Sequence, residues 1–506
     1  DATKAHNYFV YKDDLPLLFD EFNKIKSGEI TEHSLHYRWL DRQHNPVWIN
    51  CRGDVILDEF NKPLYLIGCV NEIGKRQKAD NISGLLREPS LEEYISSKSK
   101  NNITGYFMQI GIDDFEEING RFGLKCGDEI LKQFSMCMQS CINENQKIYE
   151  LGNGRFIIMD LANHSKEDIL ELYDELKKSV EVALEENVYR VVYTISVGIV
   201  EIDKEMKDYD TLIKYSEFAL NEAKKKGKNS CYFFTQDKYK QFIRRREIRV
   251  GLQNAVDHNF KNFDVYYQPI IDIHTRNLIG AEALMRFKMK RNEQIEFVSP
   301  AEFIPILEES GLIIPAGRWI LRQAVACCKK WQEFIPEFKV NVNLSYVQII
   351  KSRILDEIKQ ALKDFNLKPA LLGIEVTESG YLENTYHYKK LWSSLKEEGI
   401  TLILDDYGTG YSNAYRLSNL TPHYIKIDRV LTQKALSSNY ERSILIYIIE
   451  MAHSLKLNVC IEGVETEEEL HKVLEMGSDF IQGFYYSKPL PFNEITDYLK
   501  NFKKII

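Results

Sequence analysis

The chain runs to 506 residues, 44% apolar and 28% charged, with a net charge of −9. That length exceeds what one hydrophobic core supports and points to about three domains, and the acidic balance excludes a general binder of nucleic-acid polymers. No apolar run reaches the length of a membrane span and no signal peptide is visible, so the chain reads as cytoplasmic, with a membrane anchor upstream of Asp1 left open. The nine cysteines are odd in number and form no C-x-x-C pair. They read as reduced packing residues rather than as a thiolate metal site.

In residues 1–76 a short helix, Leu15–Ile25, precedes three alternating, aromatic-rich runs: HSLHYRWL, PVWINCRGDVIL and LYLIGCVNEI. Turn signals at Asn45-Pro46 and Asn61-Lys62-Pro63 separate them, which predicts an antiparallel meander. With Tyr37-Arg38, Val47-Trp48-Ile49 and the closing Gly68–Ile73, the pattern resembles the C-terminal half of a PAS sensor domain. Trp39 and Trp48 read as core before they read as pocket lining.

A charged connector, Lys75–Asp80, leads into residues 77–240. Strand-like Gly105–Ile112, helical Phe115–Ser140, a hairpin at Ile148–Asp160, helix Ser165–Glu185, strand Tyr189–Ile199 and helix Tyr209–Lys226 follow in turn. Interleaved strands and helices around a hairpin predict an α/β fold with a mixed sheet. Asp80–Leu85 and IGIDDFEEINGRFGLKCGDEIL resemble a GGDEF domain, the diguanylate cyclase fold. Its signature hairpin reads Gly152-Asn153-Gly154-Arg155-Phe156 here. Gly154 and Gly111 fall where that family holds its metal carboxylates, Arg155 replaces an acid with a base, and no RxxD precedes the hairpin. The resemblance therefore implies a GGDEF domain without cyclase activity. Asn119 and Asp128 match positions that touch guanine in the family, which implies GTP as a regulatory ligand. Read locally, they are a helix-end residue and a cap.

Gln236–His258 is a helical connector whose Arg244, Arg245, Arg246 and Arg249 read as a solvated face. From residue 241 to 506, eight short apolar runs alternate for the most part with helical patterns: Val265–Ile271, Ala281–Arg286, Lys339–Leu344, Leu372–Val376, Thr401–Leu404, Tyr424–Ile427, Val459–Ile461 and Phe480–Gly483. Eight strands over about 250 residues is the proportion of a (β/α)8 barrel. Glu282, Asn343, Glu375, Asp405, Asp406, Lys426, Asp428, Glu462 and Gln482 all fall within or at the end of a predicted strand. In a barrel those ends converge on one face, and acids crowded there are relieved by hard divalent cations. The Asp405-Asp406 pair, followed by Gly408 and Gly410, reads as such a site beside a mobile lid.

Tyr267-Gln268-Pro269-Ile270, Glu282-Ala283-Leu284 with Arg286, Asn343-Leu344-Ser345, Glu375–Ser379, Asp405–Gly410, Lys426-Ile427-Asp428, Glu462–Thr466, Gln482-Gly483 and Pro489-Leu490-Pro491 follow one another across Phe263–Pro491. In this order they resemble the EAL family of cyclic di-GMP phosphodiesterases. The departures are Tyr407, where Phe is usual, and Arg416-Leu417 after an altered loop tail. The resemblance implies two Mg²⁺ or Mn²⁺ ions, the first on Glu282, Asn343, Glu375 and Asp405, the second on Asp405, Asp406 and, through water, Glu462. It places Lys426 with Glu282 and Glu462 in the catalytic set, and Gln268, Leu284, Arg286, Asp428, Glu465 and Gln482 against substrate. Glu378 is expected to tether the Gly408–Gly410 lid in a homodimer. The expectation is hydrolysis of cyclic di-GMP to pGpG, abolished by Glu282→Ala or Lys426→Ala with the fold retained. The alternatives are a receptor that binds cyclic di-GMP without cleaving it and a barrel hydrolase for another phosphodiester.

Overall fold

Pro16 near its start and a left-handed Gly28 (φ 77°) just past its end bracket the first helix, α1 (Leu15–Ser27). The computed structural model describes residues 8–40, 46–58, 62–72, 80, 82–98, 104–162, 164–185, 191–203, 208–291, 294–377, 385–408 and 421–502. It divides into two compact units, Asp1–Lys240 and Gln241–Ile506. In the first, β1 (Glu32–Leu40), β2 (Pro46–Leu57) and β3 (Pro63–Glu72) form the expected antiparallel meander. Leu18 of α1 packs with Val10, Tyr37 and Ile49, and Trp39 packs against this cluster, as a core residue does. The Trp48 side chain and the connector 75–79 lie outside the described residues.

The second sheet of this unit has the order β4 (Leu86–Arg87), β6 (Lys147–Gly152), β7 (Arg155–Asp160), β5 (Gly105–Ile112), β8 (Ile195–Ile202) and β9 (Cys231–Phe233). It is mixed: β4–β6 and β8–β9 are parallel, and the other pairs are antiparallel. Strand alternation sends Met108, Ile110 and Ile112 into one core with α3 (Phe115–Phe122), α4 (Leu124–Cys141) and α5 (Lys166–Glu185). Phe107 faces the other core, with α2 (Glu88–Lys98) and α6 (Tyr209–Lys225).

Two expectations change here. The helical stretch after Ile112 is two helices, broken at Gly123 (φ 87°). The strand expected over Tyr189–Ile199 pairs, among the described residues, only from Ile195. Just ahead of it, Thr194 donates to Asp113 at 2.7 Å, which ties the segment to the loop after β5, and Ser196 within the strand donates to the same carboxylate at 2.8 Å.

The second unit begins on α7 (Gln236–Asp257), which buries Ile248, Leu252 and Ala255. Its arginines are not all a solvated face. Arg244 pairs with Glu296 and Glu302 and Arg245 with Glu309, whereas Arg246 and Arg249 are exposed.

Eight strands then close a barrel: β10 (Phe263–Asp272), β11 (Asn277–Arg291), β13 (Lys339–Asn343), β14 (Leu372–Thr377), β15 (Thr401–Tyr407), β16 (Tyr424–Ile427), β17 (Asn458–Glu462) and β18 (Phe480–Gln482). The strands β11 and β13–β18 run parallel, but β10 is antiparallel to both neighbours. A tight turn joins β10 to β11, with Asp272 accepting from the amides of His274 and Thr275, so no crossover helix is available to reverse the chain. β12 (Gln294–Val298) and β19 (Leu490–Pro491) are short additions on β11 and β10.

Around the parallel strands lie α8 (Pro300–Ser310), α9 (Ile313–Trp331), α10 (Tyr346–Lys351), α11 (Ile354–Asp364), α12 (Thr385–Glu397), α13 (Arg429–Ser437), α14 (Asn439–Ser454), α15 (Glu467–Glu475) and α16 (Phe492–Asn501). Fully buried Trp331 anchors this layer: its ring meets Tyr267, Phe338 and Phe492, and Nε1 donates to Thr496 at 2.8 Å. No helix among the described residues is long and apolar enough to cross a membrane.

One glycine tests the packing of the mixed sheet. A Cβ on Gly198 in β8 would lie 2.2 Å from the Leu220 amide and 2.4 Å from the Ser216 carbonyl of α6. Backbone cannot step aside as a side chain does. Gly198→Ala is expected to cost at least the roughly 1–3 kcal/mol of ordinary overpacking, read as a drop in the first unit's thermal midpoint.

Candidate active site

The site is built at the C-terminal ends of the parallel strands. Lys426 of β16 is 1% exposed. Its Nζ lies 2.8 Å from Glu282 Oε2 (β11), 3.0 Å from Glu375 Oε2 (β14), 3.5 Å from Asp405 Oδ1 (β15) and 2.6 Å from Glu462 Oε1 (β17). Amides hold the carboxylates from the other side. Asn343 donates to Glu282 Oε1 at 2.6 Å, Gln482 to Glu282 Oε2 at 2.7 Å, and Asn341 to Glu375 Oε1 at 2.8 Å. Gln482 also donates to Gln268 at 3.2 Å.

A strand irregularity sets the adjacent aspartates. Leu404 pairs with Ile425 and Tyr407 with Ile427, so β15 carries one more residue than β16 across this interval. Asp406 takes up the extra residue in a left-handed backbone (φ 56°), and its amide donates to Asp405 Oδ1 at 2.9 Å. A regular strand would send consecutive side chains to opposite faces.

The electrostatics follow from burial. Desolvation raises Glu375, with the nearby charges of Glu282 and Asp405 adding to it, and raises Asp405 as well. It pushes Asp406 up to about 6 and Glu462 up to about 8. Burial opposes the charged form of Glu282 too, but Lys426 and the amides hold it below the usual range. Burial works against the Lys426 ammonium, and the four carboxylates more than reverse it. One ammonium does not neutralise five clustered acids. One oxygen each from Glu282, Glu375 and Asp405 lies within 4.8 Å of the others. Such a hard, all-oxygen donor set with surplus negative charge fits a divalent cation.

A family model described as the EAL domain matches residues 249–489, and one described as diguanylate cyclase, GGDEF domain, matches residues 78–230. The chain carries a GGDEF domain followed by an EAL domain. Among curated relatives, the signaling protein YkoW of Bacillus subtilis (strain 168) is 31% identical over 403 residues, 79% of this chain and 49% of that one. The cyclic di-GMP phosphodiesterase PdeR of Escherichia coli (strain K12) is 26% identical over 464 residues, 91% of this chain and 68% of that one. The chain thus spans about half to two thirds of these relatives' length. A solved PaMucR phosphodiesterase in complex with c-di-GMP is 28% identical, covers 49% of this chain and 99% of its own, and has a TM-score of 0.46.

Within the EAL domain, the structure brings Glu282, Asn343, Glu375, Asp405, Glu462, Lys426, Gln268 and Gln482 into one hydrogen-bonded cluster, with Asp406 beside it. Arg286 and Leu284 lie further along β11, and the Arg286 guanidinium stands 5.6 Å over the Tyr266 ring. Asp428 caps α13, accepting from the Val430 amide at 2.7 Å, and exposed Glu465 pairs with Arg429 at 2.7 Å. Neither joins the cluster around Lys426. Gly408 has φ 104°, and a Cβ there would lie 2.5 Å from Leu431 Cδ2. Glu378 and Gly410 lie outside the described residues.

The sequence reading passed over Asn341 and Tyr424. The alternation of Lys339–Asn343 placed Asn341 on the same strand face as Asn343, the signal by which it was legible.

In the GGDEF domain, a Cβ on Gly111 would lie 3.2 Å from Lys224 Nζ, and one on Gly154 would lie 2.9 Å from the Phe115 ring. Arg155 pairs with Glu217 at 3.2 Å. Asp128 is exposed on the second turn of α4 and is not its cap, which falls on Gly123. Asn119 lies inside α3, where its Oδ1 fills the space beside Gly127.

The raised acids give a pH signature. A carboxylate held above its usual range favours the fold while protonated, and that contribution is lost as pH rises through its folded value. The cation-free protein is therefore expected to lose thermal stability from about pH 4 to about pH 8, with Glu282 acting in the opposite sense. Added Mn²⁺ should raise the midpoint more at pH 8 than at pH 5, and EDTA should remove the difference. Equal shifts at both pH values would contradict a carboxylate cation site.

Proposed function

We propose that the EAL domain is a metal-dependent phosphodiesterase that hydrolyses cyclic di-GMP to linear pGpG. The observation that carries this reading is Lys426 Nζ within 3.5 Å of carboxylates from four separate strands. Glu282, Asn343, Glu375, Asp405, Asp406 and Glu462 are the residues that would hold Mg²⁺ or Mn²⁺. When bound, such cations polarise a phosphoryl oxygen and acidify a water. The chain's own residues do the rest. Lys426 supplies fixed positive charge beside the phosphodiester, and its contact with Glu462 gives a route for a proton. Gln482 and Gln268 fix the orientation of Glu282, and Arg286 offers a forked donor to phosphate.

Incubation with cyclic di-GMP and Mn²⁺, read by chromatography, is expected to yield pGpG, and Glu282→Gln to lower turnover by at least about 10²-fold. Tight binding of cyclic di-GMP without product would instead make the domain a receptor.

Fold retention after loss of Lys426 does not fit its position. Lys426→Ala removes the counter-charge of three buried acids and of half-buried Glu462, a change expected to cost about 3–5 kcal/mol. Lys426→Ala should thus lower the thermal midpoint strongly in EDTA and recover part of it in Mn²⁺, without recovering hydrolysis.

The GGDEF domain (77–240) is read as a non-catalytic regulator between a PAS-like input module (1–76) and the EAL domain (241–506). Gly111 and Gly154 support this, because neither supplies a carboxylate and the nearest atoms around the space each leaves include those of Lys224 or Phe115. Incubation with GTP and Mg²⁺ should give no cyclic di-GMP, and a change in EAL turnover on adding GTP would give the domain a regulatory ligand.

A further inference from the structure

Beneath the carboxylate cluster, the barrel interior holds a polar pair that the proposed hydrolysis does not use. Asn341 of β13, 3% exposed, lies two residues below Asn343 on the same strand face. Its Nδ2 donates to Glu375 Oε1 at 2.8 Å and to Tyr424 Oη of β16 at 2.5 Å. The surroundings are otherwise apolar: Ile270, Ile403 and Cys460 cluster with Tyr424. A primary amide placed there costs free energy unless its hydrogens are used, and both are.

The neighbouring strand makes room for it. Gly373 of β14 is the register partner of Asn341, and a Cβ at 373 would lie 2.2 Å from Asn341 Oδ1. The consequence falls on Glu375, which is completely buried. Its Oε1 is taken by Asn341, and its Oε2 faces Lys426 at 3.0 Å. Turning the carboxylate would therefore break the Asn341 hydrogen bond or the Lys426 contact.

We propose that Asn341, braced by Tyr424 and accommodated by Gly373, is a positioning residue that makes Glu375 present one oxygen to a bound divalent cation, favouring small octahedral cations over Ca²⁺. The inference rests on the cation-site reading above. Mg²⁺-like ions demand near-ideal octahedral geometry, whereas Ca²⁺ accepts more ligands and often both oxygens of a carboxylate. A hydrogen bond that occupies one oxygen therefore acts unequally on the two classes. Partners of this kind, one step removed from the ion, typically carry 10–100-fold in metal affinity.

The test is calorimetric titration of the cation-free full chain with MnCl₂ and, separately, CaCl₂, with no substrate present. Asn341→Leu and Gly373→Ala, one removing the donor and one displacing it, are expected to lose about 10–100-fold in Mn²⁺ affinity. They should lose less for Ca²⁺, so that the Mn²⁺/Ca²⁺ preference narrows. Tyr424→Phe keeps the ring and removes only the brace; it should shift both quantities the same way by a smaller factor. If the first two variants fail to fold, Tyr424→Phe carries the test alone. An unchanged preference in the folded variants overturns the positioning role while leaving the cation site intact. Failure of the wild-type chain to take up Mn²⁺ at all overturns the site reading, and this inference with it.

Discussion

The barrel's functional end depends on one constraint: a single ammonium, Lys426, must sit among more carboxylates than it can neutralise. Four strands contribute an acid to its surroundings, all within 3.5 Å of Nζ. Desolvating such a group is not a route to stability, since buried ion pairs return little beyond their own desolvation cost. The arrangement is intelligible as a site kept negative for cations. The surrounding amides follow from it: Asn343 and Asn341 each satisfy an oxygen that would otherwise be buried bare, and Gln482 adds a second donor to the Glu282 oxygen that faces Lys426.

Two backbone irregularities serve that constraint. The extra residue at Asp405-Asp406 places consecutive carboxylates at the rim where a regular strand would have hidden one of them. The antiparallel β10, joined to β11 by a tight turn, brings Gln268 opposite Glu282 and against Gln482 of β18. The barrel closes on a strand of opposite sense, and the amides that orient Glu282 come from that seam.

The GGDEF domain shows fold and site parting company. Its mixed sheet and two cores are complete among the described residues, because strand alternation and helix packing need only apolar volume. The positions that the resemblance assigns to the family's metal carboxylates are glycines here, beside Lys224 and Phe115.

The sequence by itself determined most of the element order, the eight barrel strands and the acids at their ends, since periodicity and strand-end position are local properties. It also shows glycine at 111 and 154, because a residue's identity is visible without coordinates. Only the tertiary structure decided the rest. The sense of β10 depended on which strands it met at closure, and the fate of Arg244 on acids of β12 and α8 some fifty to sixty residues away. The Asp405-Asp406 irregularity emerged only from pairing with β16. Asn341 had no role legible in the sequence reading until Glu375, Tyr424 and Gly373 closed around it. The reason is common to all four: a side chain's role is set by groups distant in sequence, and local pattern carries no record of them.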